Sequence, residues 1–143
     1  MAVVTTVPNH YKYLLKLKQI DESSDVYKII LMNDSFAFDK DAHAILSDVT
    51  SSQLSTGFGY TQNSKELANP VVSESDTNDK ASTIWDDVIW TASGGSIGPA
   101  GAAIIYNDTI VEKPIACCID FGTDFTVLDG FSFLIQAPEI DLT

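Results

Sequence analysis

A chain of 143 residues that is 45% hydrophobic is long enough to bury one core and too apolar to stay disordered. Its 20 acidic residues, against eight lysines and no arginine, leave a net charge of −12, which argues against nucleic-acid binding. No apolar run approaches the ~20 residues of a membrane-crossing helix, and the start MAVVTTVPNHYKYLLKLK lacks the basic-then-apolar order of a secretory signal, so the chain is expected to act where it is made. Its acidity is uneven. Residues 1–71 carry 6 lysines and 8 acids, whereas residues 72–143 carry 2 lysines and 12 acids. Such an acidic pole keeps a protein soluble and can steer it to a basic partner.

In chain order, residues 1–10 read as an N-terminal arm. Val3, Val4 and Val7, with Thr5 and Thr6, are β-prone and uncharged, and Pro8 separates them from the first regular element. Such an arm cannot bury its valines on itself. A neighbouring subunit or a larger shell is expected to supply the missing surface. Residues 11–143 read as a single β-rich domain. Over Tyr11–Ile20, lysines at 12, 16 and 18 alternate with Tyr13, Leu15 and Leu17, which predicts a half-buried strand. The turn DESSD and a second strand, Val26–Met32, make the pair a hairpin. Ala42, Ile45, Leu46 and Val49 fall at helical spacing after the capping candidates Asp39 and Asp41, which predicts a short helix. Residues 53–69 form a long irregular segment carrying Phe58 and Tyr60.

Further strands are expected at Val71–Ser73 and over Lys80–Ala92, where the pair Asp86–Asp87 breaks the alternation as a bulge or bend. One of Trp85 and Trp90 is expected to anchor the core and the other to be partly exposed or at a subunit contact. A glycine-rich connection then leads to strands at Ala103–Tyr106, Ile115–Phe121, Phe125–Leu128 and Phe131–Gln136. Eight or nine short strands with turns between them predict an antiparallel β-sandwich or barrel with one short helix and long loops.

Few motifs carry chemistry. GGSIG, Gly94–Gly98, fits G-x-S-x-G, but no helix comes after it and both histidines, His10 and His43, lie upstream, against the order of that motif. Neither a Walker A loop nor a dinucleotide fingerprint is present, so no cofactor is expected. Asp34, Asp39, Asp41 and His43 form a polar cluster that could bind a cation, and the last three alternate like cation ligands but lack the glycine and the bidentate Glu of a calcium loop. They read as a cap and turn, as Glu74, Asp76 and Asp79 read as a solvated turn. Cys117 and Cys118 are adjacent in a strand, so their side chains point to opposite faces and do not bridge. The residues define neither a metal site nor a catalytic set. Tyr11 and Tyr13, Phe58 and Tyr60, and Trp85 and Trp90 could form a sugar-binding surface, although aromatic residues in strands are more often core.

Phe38-Asp39-Lys40-Asp41-Ala42-His43, Gly57-Phe58-Gly59-Tyr60-Thr61, Asp86-Asp87-Val88-Ile89-Trp90, Gly94-Gly95-Ser96-Ile97-Gly98-Pro99 and Ile119-Asp120-Phe121-Gly122 together resemble a group of small virion structural proteins of tailed bacteriophages. The likeness spans about residues 29–136. It implies a non-enzymatic particle component, made in the host cytoplasm and carried on the virion. Within that class a head decoration, or cement, protein is favoured, with the major capsid protein as partner and a homo-oligomer, a trimer above others, as its state. A tail or head–tail junction protein is the alternative within the class, and a carbohydrate-binding β-sandwich the alternative outside it. Val3, Val4, Val7, Phe58 and Tyr60 are the expected contact residues.

Overall fold

The computed structural model describes residues 3–143. Its elements are β1 (Val4–Thr6), α1 (Asn9–Lys16), β2 (Tyr27–Asn33), two 3-10 turns (Leu46–Asp48 and Thr50–Ser52), β3 (Val71–Ser75), β4 (Lys80–Ile84), β5 (Val88–Thr91), β6 (Ile97–Asn107), β7 (Ile115–Val127), β8 (Ser132–Ile135) and β9 (Glu139–Leu142). The two long strands β6 and β7 pair antiparallel and organise the rest. The strands form a four-stranded sheet β1-β7-β6-β2, a three-stranded sheet β3-β4-β9 and a pair β5-β8. Every pairing between these strands is antiparallel. The architecture is a mainly β, sandwich-like domain, and no sheet closes into a barrel.

Ala102–Tyr106 of β6 and Ile115–Ile119 of β7 are buried along their whole length, so this part of the large sheet is covered on both faces and apolar throughout. Ile29, Leu31, Ala103, Ile105 and Cys117 point into the main core, shared with Trp90 on β5, Phe133 on β8 and Trp85 between β4 and β5. Ile30, Met32, Ala102, Ile104 and Cys118 face a second core beneath residues 36–49, closed by Leu46 and Val49. Cys117 and Cys118 thus lie on opposite faces, free and buried, as their adjacency in a strand requires. Burial pushes the Cys118 thiol up to about 12 and that of Cys117 well above its ordinary value, so both stay protonated.

Several expectations are corrected. Residues 9–16 are the α-helix of the described chain, not a strand, and they do not form a hairpin with β2, whose partner is β6. Tyr11 and Leu14, three apart, are buried, while Lys12 and Lys16, four apart, face outward. Pro8, at φ −68° and ψ 154°, delivers the chain into the helix start. The helix predicted after Asp39 is absent. The Asp39 carboxylate accepts the N–H groups of Asp41 and Ala42 at 2.9 and 3.2 Å, and the Asp48 carboxylate accepts those of Ala44 and Ile45 at 2.9 and 3.0 Å. Side chains occupy the donors, and the backbone takes turns instead.

The run over Lys80–Ala92 is two strands in different sheets. Asp86 accepts the side-chain amide of Asn69, and Asp87 accepts the Ala137 N–H at 2.8 Å, so the acidic pair fixes a corner. Both tryptophans are consequently buried, each 3% exposed, and neither is the half-exposed partner expected. The strands predicted at 115–121 and 125–128 are one strand, the glycine-rich connection already belongs to β6 from Ile97 onward, and the tail forms β9. The arm is not free either. β1 pairs with β7 of its own chain, Val4 opposite Asp120 and Thr6 opposite Cys118, and Val7 enters the main core.

Candidate interaction surface

Groups with latent chemistry are held in structural roles. Ser96 lines a small cleft of about 260 Å³ with Phe58, Tyr60 and Ile97, and no histidine or acidic residue lines it. His10 pairs with Glu112 at 3.0 Å, and the His43 ring stacks on Phe36 at 5.6 Å while its Nδ1 accepts the Asp39 N–H at 3.0 Å. The serine has no base within its cleft. Asp39, Asp41 and His43 form the expected turn. Among the described residues no group of three or more His, Cys, Asp or Glu side chains could hold a metal ion.

A buried polar chain runs between the sheets. The Tyr11 hydroxyl donates to Glu22 at 2.6 Å and lies 2.7 Å from that of Tyr27. With its one proton given to Glu22, Tyr11 accepts the proton of Tyr27. The other Glu22 oxygen accepts from Thr83. Burial, then the neighbouring phenol and carboxylate, push the Tyr11 hydroxyl far above its ordinary value, and burial raises Tyr27. These phenols hold their protons tightly, so the chain joins α1, β2 and β4 rather than moving protons.

The five expected contact residues separate. Val3 and Val4 are exposed; Val7 is buried. Phe58 is exposed, with its ring against Gly95. Tyr60 is a core residue, 2% exposed, its hydroxyl accepting from the Leu31 N–H at 3.0 Å and the Gln53 amide at 2.9 Å. One half of the Phe58 and Tyr60 sugar platform is therefore inside the protein.

An apolar face that shares only Val3 with those residues lies on the small sheet and beside it. Ile89 on β5 and Leu134 on β8 are directly opposite, 51% and 47% exposed. Leu134, Phe125 and Val3 together line a groove of about 380 Å³ between β1, β7 and the segment after β8. Leu128 and Phe131, also exposed, flank the turn between β7 and β8. Large apolar side chains gathered this way mark a contact surface more often than isolated ones do. The available signal is the sequence VIW and FLI, apolar at consecutive positions, which exceeds what a strand with one buried face requires.

Charge is gathered too. Lys28 and Lys113 pair with Asp108, Lys80 pairs with Glu139 and Asp141, and Lys65 donates to the Ile89 carbonyl at 2.9 Å. Lys12, Lys16, Lys18 and Lys40 make no ion pair among the described residues. Three of these four, Lys12, Lys16 and Lys40, line one groove of about 620 Å³ between β1, α1 and β9.

No family model, curated protein or solved structure matches the chain.

Proposed function

We propose that the chain is a non-enzymatic structural component of a tailed-phage virion, a decoration protein that binds the outside of the head shell as a homo-oligomer. The observation that carries this reading is the apolar face formed by Val3, Ile89, Phe125 and Leu134 beside the outer edge of β1. A face of this kind suits a broad partner such as the major capsid protein, with apolar anchors at its centre. The resemblance of the five motifs to virion proteins points to the same class. The acidic second half of the chain suits a basic patch on such a shell. The absence of a base beside Ser96 favours a structural loop there over a hydrolase site. The burial of Tyr60 weakens the carbohydrate-binding alternative.

The test is occupancy of undecorated heads. Purified protein should co-sediment with them in stoichiometric amount, and Leu134→Asp with Phe125→Ser should lower the affinity at least about tenfold through loss of central apolar anchors. Unchanged occupancy in that variant, or no binding by the wild type, overturns the reading. Ser96→Ala should leave occupancy unchanged, and an esterase activity lost with Ser96 would assign the chain to a different class.

A further inference from the structure

The three-stranded sheet β3-β4-β9 has two outer strands, and they differ in character. At one side β3 projects from the body. Val71, Val72, Ser73 and Glu74 are all exposed, as is the turn Asp76–Asp79 that joins β3 to β4. An outer strand so bare leaves a row of backbone donors and acceptors without partners among the described residues. Glu74, Asp76 and Asp79 make it acidic. At the other side β9 runs beside β1, itself the outer strand of the large sheet, and the 620 Å³ groove lies between Thr5–Val7 and Asp141–Thr143. Leu15 and Leu142 give it an apolar lining, and the exposed Lys12, Lys16 and Lys40 contribute positive charge. Asp141, its acidic side chain, is already engaged by Lys80 at 3.0 Å and Ser82 at 2.7 Å. In a molecule of net charge −12, three lysines at one slot between two strand edges, without an ion pair among the described residues, are an anomaly that a second acidic strand resolves.

We infer that the chain associates with itself head to tail: the acidic β3–β4 hairpin of one copy enters the Lys12/Lys16/Lys40 groove of the next, and its β3 adds to β9. The sheet then continues across the contact as β3-β4-β9-β3. Backbone hydrogen bonds hold the added strand. Its two consecutive valines present one apolar side chain to each face, and Glu74 and Asp76 meet the lysines. The two contacting surfaces are different patches, so the association is heterologous and builds a ring or a chain. This deepens the proposed assembly role and rests on it for its biological setting, but it concerns copies of this chain alone.

The experiment needs no capsid. Sedimentation of the wild type at low ionic strength should show a mass above the 15.5 kDa monomer, falling toward the monomer as salt rises. Glu74→Lys with Asp76→Lys in one variant, and Lys12→Glu with Lys16→Glu in another, should each weaken association at least about tenfold, because each makes the hairpin and groove alike in sign. All four positions are exposed or border on exposed surface, and an unchanged thermal melt confirms that folding is intact. Mixing the two variants should restore association, since each reversed element then meets its complement. A monomeric wild type, or variants that associate as the wild type does, overturns the inference. So does a mixture that stays dissociated. If wild type is monomeric yet decorates heads, this inference and the homo-oligomer fall while decoration of the head stands; if it associates as described yet binds no head, decoration falls and this inference stands.

Discussion

Gly59 and Gly95 each let a turn pass close to a neighbour, Gly59 against the Thr91 backbone and Gly95 against the Phe58 ring. Gly59 has φ +98°, and a Cβ there would lie 2.0 Å from the Thr91 carbonyl oxygen. A Cβ on Gly95 would meet the Phe58 ring at 2.5 Å. The first obstacle is backbone and cannot move aside; the second is an exposed ring that can rotate. Gly59→Ala should therefore cost more than about 1 kcal/mol, from backbone strain and collision together, and Gly95→Ala distinctly less, as compared by urea denaturation. The tryptophans give a second residue-scale expectation. Both lie in the main core, Trp85 with its ring 5.1 Å from that of Tyr27 and Trp90 edge-on to Phe133 at 6.1 Å. Truncation of either to Ala should lower stability by ~3–5 kcal/mol, and a wild-type melting temperature in either variant would contradict its burial. At this scale glycine-rich turns are readable in GFGY and GGSIG. That the two turns dock on each other is not, because nothing local encodes which distant backbone a glycine approaches.

Among the elements, α1 shows how two periods compete. Lysines at 12, 16 and 18 alternate with Tyr13, Leu15 and Leu17 as in a strand, yet Tyr11, Leu14 and Leu15 also fit one helical face. Tertiary burial of Tyr11 decides between them, and burial is invisible in a ten-residue window. The turns over residues 39–48 invert the case: the apolar spacing is helical, and the carboxylates of Asp39 and Asp48 override it. Backbone N–H groups lower both carboxyls below their ordinary value of 3.8. A group depressed in the folded state stabilises above its unfolded value and loses that contribution as pH falls through the folded one. Stability should hold at neutral pH and decline below about pH 3.8, and Asp48→Asn should flatten part of that limb in denaturation curves taken from pH 2 to 7. The tyrosines mark the alkaline side. Tyr11, Tyr27, Tyr60 and Tyr106 are raised above 10.0, first by burial. Their contribution is complete below pH 10 and lost above it, so tyrosinate absorbance from these four should appear together with loss of the native circular dichroism. Ionisation of all four in a still-native protein would contradict the buried network.

The whole molecule is legible as a class and not as a topology. Short apolar runs and turn signals suffice for an antiparallel β domain. They do not say that β2 pairs with β6, or that one tryptophan-rich run splits between sheets at Asp86–Asp87. The proposed contact surface is half legible: Val3 and Val4 are outward, but Val7 and Tyr60 are interior, and Ile89 and Leu134 are hidden in strand runs whose pattern resembles core. Removal of residues 2–8 provides the test at this scale. Because β1 pairs within the chain and Val7 is buried, the truncation should destabilise the folded monomer, by about 1.5–3 kcal/mol from the Val7 side chain alone, before any effect on assembly. A truncated protein as stable as the full chain would mean that the segment gains its order elsewhere.

Pairing of residues 4–6 with 118–120 also has a kinetic meaning. Nearly the whole chain must be looped before the first strand acquires its partner, and contacts so distant in sequence place folding in the slow range, roughly milliseconds to seconds. On the ribosome β1 waits, unpaired, for β7 to emerge. The groove lined by Lys12 and Lys16 waits longer still, since its far wall is β9. The groove proposed to receive a second copy is thus finished among the last events of folding, so a half-made chain lacks the slot by which a finished copy would hold it.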